Sequence, residues 1–159
     1  MKRLSVTYIK SLVTGMILVL LSACSANNKP QPINIGQDNC AYCKMGIADT
    51  RFASEIITQK GKVYKFDSIE CMVSFYQDHQ NADFDKADLW VHDFLHPKEW
   101  VPEKKAKFIK TDKIHTPMGM DLIAVKNDSE IREIKKQLGG NSMKWSRLLQ
   151  YVKTNMREH

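Results

Sequence analysis

The stretch Lys62-Val63-Tyr64-Lys65-Phe66-Asp67-Ser68-Ile69-Glu70-Cys71-Met72-Val73 changes its hydrophobic period partway along, and that change decides the fold class. Up to Phe66 apolar and charged residues alternate, as a half-buried strand requires. Asp67-Ser68 then offers an N-cap, Glu70 follows in the first turn, and Ile69, Met72, Val73 and Tyr76 fall on one helical face. Upstream, residues 51–58 carry Phe52, Ala53, Ile56 and Ile57, and Gln59-Lys60-Gly61 supplies a turn, so a β-hairpin precedes the helix. Downstream, residues 89–94 return to strand character. The order is β-β-α-β.

The second half repeats that order with negligible identity to the first. Residues 106–110 and 121–126 read as strands joined by a loop around His115 to Gly119. Asn127-Asp128-Ser129 caps a helix bearing Ile131, Ile134 and Leu138, and Gly139-Gly140 ends it. Residues 143–145 read as the opening of a last strand and 147–156 as a short terminal helix. The expected fold class is α+β, two small β-β-α-β units packed together, at about 40–96 and 100–150. The mixed-sign run 98–105 contains Pro102 and reads as a solvated connection between the units. Trp90, Trp100, Trp145, Phe94 and Phe108 fall on strand-like segments and read as core.

Ahead of the fold, residues 1–23 hold Lys2, Arg3 and Lys10 without an acid, then an apolar run of signal-peptide length. Leu21-Ser22-Ala23-Cys24 resembles a bacterial lipobox, which makes Cys24 the expected lipidated residue. Residues 24–34 are polar and Pro-bearing and read as a flexible tether, with the folded domain at 35–159. Ser25 after the modified cysteine points to the outer membrane of the cell envelope, facing the periplasm. The chain has 159 residues and a formal charge of +6, and removing the leader's three cations leaves +3. Nucleic acid is therefore a poor partner, and the length excludes a large multidomain enzyme.

Three cysteines remain after Cys24, an odd number that argues against a purely structural disulfide framework in an oxidising compartment. Cys40-Ala41-Tyr42-Cys43-Lys44-Met45 gathers two thiols and a thioether just before the first hairpin. Soft sulfur donors select a soft ion, and Cu(I) is the first choice. Two other readings of the Cys40/Cys43 pair stay open: a thiol-disulfide oxidoreductase of the envelope, and a structural zinc-binding module. His79, His92, His96 and His115 show no paired spacing for zinc, and no His follows Cys43 for haem attachment. A second sulfur-rich segment, His115-Thr116-Pro117-Met118-Gly119-Met120, places Met118 on a tight turn, and Met-Gly recurs at Met45-Gly46. If the two units pack face to face, the two Met-bearing loops are expected to meet at one site. Asp93 and His96 read as surface groups, and Cys71 as a buried inert thiol.

These segments together, Cys40-x-x-Cys43-x-Met45-x-Ile47, residues 63–72, Thr116-Pro117-Met118-Gly119, Gly139-Gly140 and Trp145, resemble the NosL family of copper lipoproteins, from about Cys40 to Trp145. The resemblance implies a pair of β-β-α-β units and a Cu(I)-binding metallochaperone, not an enzyme. It further implies copper delivery to nitrous-oxide reductase with the help of a membrane ABC-type complex. By motif position Cys43, Met45 and Met118 are the implied metal ligands. Cys40, His115 and Met120 are further candidates, and a homodimer bridging copper stays open. Lys44 stands where many members have Gly.

Overall fold

The structure, a computed structural model, describes residues 29–156. The leader, Cys24 and the start of the tether lie outside the described residues. Strands β1 (Ser54–Ile57) and β2 (Val63–Phe66) form the expected hairpin, paired from Ser54 with Phe66 to Ile57 with Val63. Its turn closes through Gly61, whose N–H donates to the Thr58 carbonyl at 2.8 Å with φ at 80°, a left-handed value suited to glycine. Helix α1 (Ile69–Asp78) starts where the period changes: the Ser68 hydroxyl accepts the Cys71 N–H at 3.2 Å. β3 (Asp88–His92) pairs with the other side of β1, which makes β1 central and accounts for its burial at all four positions.

The segment expected as a solvated connection instead contributes a strand. β4 (Trp100–Pro102) pairs with β3, giving the antiparallel order β2-β1-β3-β4. Pro102 had argued against a strand, but β4 is at the sheet edge, where a missing N–H costs no ladder bond. Trp100 packs its ring on that of His92, tilted at 40° with centroids 3.8 Å apart, and Val101 is buried in the core.

The second sheet has the order β6-β5-β7, built from β5 (Lys107–Lys110), β6 (Leu122–Val125) and β7 (Asn141–Met143). Between β6 and β7 runs α2 (Asp128–Leu138), with Asn127 accepting the N–H groups of Ser129 and Glu130. The last strand begins and ends earlier than expected. Trp145 opens α3 (Trp145–Asn155) rather than lying on a strand, and its ring packs on Phe108 at 5.6 Å.

Alternation along β5 and β6 divides the interior. Phe108, Leu122 and Ala124 join the larger core with Phe66, Met72, Phe75, Val91, Leu148 and Val152. Ile109, Ile123 and Val125 face the opposite side, against Ile134 of α2 and against Phe52 and Phe94. Both faces of this sheet are covered at β6, so that strand reads as a continuous apolar run, Leu122-Ile123-Ala124-Val125. Full burial of each such side chain contributes about 1.5–3 kcal/mol. The outer edge of β6 is not left bare: the Phe94 N–H donates to the Ala124 carbonyl at 2.8 Å, joining the two halves through backbone. Among the described residues the result is two small antiparallel sheets and three helices, a mixed α+β arrangement. Among the described residues no helix is long and apolar enough to cross a membrane.

Contacts with the fold begin ahead of Ile35. The Gln31 N–H donates to both Glu55 carboxylate oxygens, at 3.0 and 3.2 Å, and Lys65 Nζ donates to the Pro32 carbonyl at 2.8 Å.

Candidate metal centre

The loop from Cys40 to Met45 is closed on itself and pinned to the free edge of the first sheet. Cys40 N–H donates to the Met45 carbonyl at 2.8 Å and Lys44 N–H to the Cys40 carbonyl at 3.0 Å. An isolated bridge joins Asn39 to Gly46, and Ala41 N–H donates to the Lys65 carbonyl of β2 at 2.8 Å. Lys44 has φ at 67°, the left-handed region, which gives a physical reason for a glycine to suit this position. Lys44 is accommodated by turning its ammonium back onto the Ala41 carbonyl at 2.5 Å.

β2 runs past this loop into the corner Asp67-Ser68 and the first turn of α1. That corner delivers Asp67 and Cys71 to the two thiols. One donor atom from each of Cys40, Cys43, Asp67 and Cys71 lies within 4.8 Å of all the others. All three cysteines are free thiols. Cys40 and Cys71 are buried and Cys43 is half-buried, so an ion reaches the cluster from the Cys43 side. The Cys43 thiol donates to Asp67 Oδ2 at 3.3 Å, while Asp67 Oδ1 is buried without a partner.

The thiols differ in proton affinity. The hydrogen bond from Cys71 lowers Cys40 to about 6, so negative charge collects there first. The same contact raises Cys71, which keeps its proton. Burial, with lesser help from the neighbouring Cys40 charge, raises Cys43 to about 11. The N-terminal turn of α1 favours the anionic charge of the cluster.

The sequence-derived candidates fall in several places. Cys40 and Cys43 come together with Cys71 and Asp67. Met118 is partly buried against the same core that Cys43 packs on. Met45 stands 54% exposed at the end of its loop. Met120 is buried in the larger core, and the His115 side chain is 88% exposed, its Nδ1 3.6 Å from Asp121. Cys71 is buried as its sequence reading held, yet its sulfur also belongs to the cluster. The signal for Cys71 was the odd thiol count; Asp67 had none beyond its place beside the cap.

A second tie brings the Met118 loop to α1. Glu70, wholly buried one residue before Cys71, accepts the Thr116 hydroxyl at 2.5 Å and the Leu122 N–H at 3.4 Å. Thr116 in turn accepts the Asp121 N–H at 3.0 Å, and its carbonyl accepts the Gly119 N–H at 2.9 Å. The turn bearing Met118 is thereby held to the helix bearing Cys71.

Three sulfurs and one carboxylate oxygen in this arrangement suit a thiophilic ion. The sulfurs favour Cu(I), while the carboxylate extends the set toward Zn2+.

Comparison with known proteins follows the same lines. Among curated proteins no match is found. The fold is similar to the crystal structure of the copper chaperone NosL from Shewanella denitrificans, with a TM-score of 0.62 and 21% identity, covering 75% of this chain and 94% of that one. The model of the NosL family matches residues 32–151, which include both sheets and all four residues of the cluster. The chain belongs to the NosL family.

Proposed function

We propose that this chain is a Cu(I) carrier of the cell envelope. It is held to the membrane by a lipid on Cys24, faces the periplasm from the outer membrane, and supplies copper for assembly of nitrous-oxide reductase through an ABC-type complex. The observation that carries the copper reading is the convergence of the Cys40, Cys43 and Cys71 sulfurs. The similar structure from Shewanella denitrificans is that of a copper chaperone, which supports it. Cys43 is the accessible thiol, which gives up its proton as the ion binds, Met45 and Met118 are thioethers that complete a labile sphere, and Cys40 and Cys71 supply sulfur from the buried side. Cys40 brings the charge. A carrier releases its ion when a receiving site binds it with greater affinity, and ligands exchanged one at a time lower the barrier to that step. Met45, in solvent, is the thioether that a receiving protein or a second copy of the chain meets first.

Two measurements test the assignment. Anaerobic titration of the reduced protein with Cu(I) against a competing chelator should show Cys43→Ser weakening binding roughly tenfold or more, since even outer-shell partners are worth that much. Met118→Leu and Met45→Leu should each weaken it less. A thiol-disulfide oxidoreductase would lose activity with Cys43→Ser and ignore Met118→Leu. The presence of Asp67 in the cluster favours a structural zinc site as the second reading. That reading requires Zn2+ to hold against Cu(I) in direct competition, and displacement of Zn2+ by Cu(I) rejects it.

A further inference from the structure

Beyond the sulfur cluster, one donor atom from each of Asp93, His96 and Glu130 lies within 4.8 Å of the other two. His96 Nδ1 stands 3.7 Å from Asp93 Oδ2 and 3.7 Å from Glu130 Oε1. Sequence spacing alone reads Asp93 and His96 as surface groups. Asp93 is instead fully buried, because its Oδ1 accepts the N–H groups of Leu95 and His96 at 2.9 and 3.3 Å and folds the loop after β3 over it. Its other oxygen, Oδ2, is buried with no hydrogen-bond partner and faces His96. A buried carboxylate oxygen without a donor is costly, and its cost is removed by a cation placed where it points.

We propose that Asp93, His96 and Glu130 form a second cation site, for a divalent ion of borderline hardness such as Zn2+. Two carboxylate oxygens and one imidazole nitrogen suit such an ion and suit Cu(I) poorly, so the chain holds one soft site and one harder site. Donor atoms on a tetrahedral Zn2+ with bonds of about 2.0–2.1 Å lie about 3.3 Å apart, so the two 3.7 Å separations need to close by a few tenths of an ångström, and the carboxylate pair, within 4.8 Å, closes as the exposed end of the site adjusts. His96, half exposed, opens the site to solvent, where water fills the fourth position.

The competing occupants are weak. Glu130 Oε2 accepts the Lys126 N–H at 2.9 Å and Oε1 accepts Asn127 Nδ2 at 3.1 Å, which leaves lone pairs on both oxygens. The Lys126 ammonium is 3.9 Å from Glu130 Oε1 but 2.7 Å from Glu99, its principal partner. The Lys126 side chain is half-exposed and its ammonium is held by Glu99 rather than by Glu130. Asp93 and His96 belong to the β3–β4 connection, whereas Glu130 lies in the first turn of α2. An ion there ties the first sheet to the second half of the molecule beside the Phe94–Ala124 hydrogen bond.

Zn2+ calorimetry on the reduced full chain, with Cys43→Ser, His96→Ala and Asp93→Asn as variants, tests the site. Cys43→Ser should retain one Zn2+ equivalent. His96→Ala and Asp93→Asn should weaken that equivalent roughly tenfold or more. His96 is exposed, so its removal leaves the core intact, and its imidazole NMR signals should shift on Zn2+ addition to the wild type. The proposal is overturned if those signals stay unmoved at saturating Zn2+. It is equally overturned if His96→Ala binds Zn2+ with wild-type stoichiometry and affinity, which would leave His96 as a side chain lying between two carboxylates and nothing more.

Discussion

Cys40, Cys43 and Cys71 share protons as well as space, and that sharing determines how copper loading responds to pH. Cys40 falls to about 6 because the Cys71 thiol donates to it, while burial holds Cys43 at about 11. A metal that binds both as thiolates must expel both protons below the first value and a single proton between the two. Apparent Cu(I) affinity should therefore rise with pH, tenfold per unit for each proton expelled. The slope should lessen near 6 and vanish only beyond about 11. Chelator competition from acidic to alkaline pH measures this slope, and a flat profile across the neutral range would reject Cys43 as a ligand. Cys71→Ala removes the donor, so the acidic break should move upward toward the ordinary thiol range. Of this site, the Cys40–Met45 segment was legible as a sulfur donor because its residues are close in sequence. The role of Cys71 was not. Cys71 meets the other thiols only because Ala41 hydrogen-bonds to β2, a contact that no local spacing records.

At the scale of elements, the boundary between α2 and β7 rests on two glycines with unequal tasks. Gly139 has φ at 71° and open space where a Cβ would stand, and its N–H donates to the Lys135 carbonyl as a helix C-cap. Gly140 has φ at 97°, and a Cβ there would sit 2.4 Å from the Lys110 carbonyl oxygen and 2.9 Å from Thr111 Cβ. Gly139→Ala should cost about 1–3 kcal/mol, because φ at 71° with ψ at −149° is a backbone region almost closed to any residue with a Cβ. Gly140→Ala should cost about 3 kcal/mol or more, since β5 and β7 must separate or bend to make room. Urea unfolding of both variants measures the difference, and equal losses would contradict the close approach. The sequence made this terminator readable because two adjacent glycines end a helical pattern for a local reason. β4 was unreadable because Trp100-Val101-Pro102 is a strand only by pairing with β3 across a turn. The offset of β7 has a similar cause: Asn141 and Ser142 are polar and exposed, and their strand geometry comes from β5 rather than from their own pattern.

Over the whole molecule, two buried carboxyls join segments distant in sequence, and both set stability against rising pH. Burial raises Glu55 from 4.5 to about 7, where it accepts the Gln31 N–H. Its folded pKa exceeds its unfolded one, so its contribution is complete below about 4.5 and is lost as pH climbs to about 7, a loss of about 3 kcal/mol. Glu55→Gln should flatten the melting temperature over that window and raise it at pH 8, which thermal unfolding at a series of pH values will show. The paired β-β-α-β pattern made the two halves legible, but not their junction: a glutamate in a first helical turn reads as a partner for the helix dipole, with nothing to say that Glu70 is buried. Burial raises Glu70 as well, and its carboxyl holds Thr116 and Leu122 of the second half against α1. Glu70→Gln keeps an acceptor for Thr116 and removes the charge, so it should match the wild type or exceed it at neutral pH. Glu70→Ala strands the Thr116 hydroxyl and the Leu122 N–H and should cost about 2 kcal/mol or more. If the Met118 turn serves the thiols through this brace, Glu70→Ala must also weaken Cu(I) binding as Met118→Leu does, while Glu70→Gln leaves it unchanged. An alanine variant that loses stability yet keeps wild-type copper affinity would separate the brace from the metal and confine Glu70 to packing.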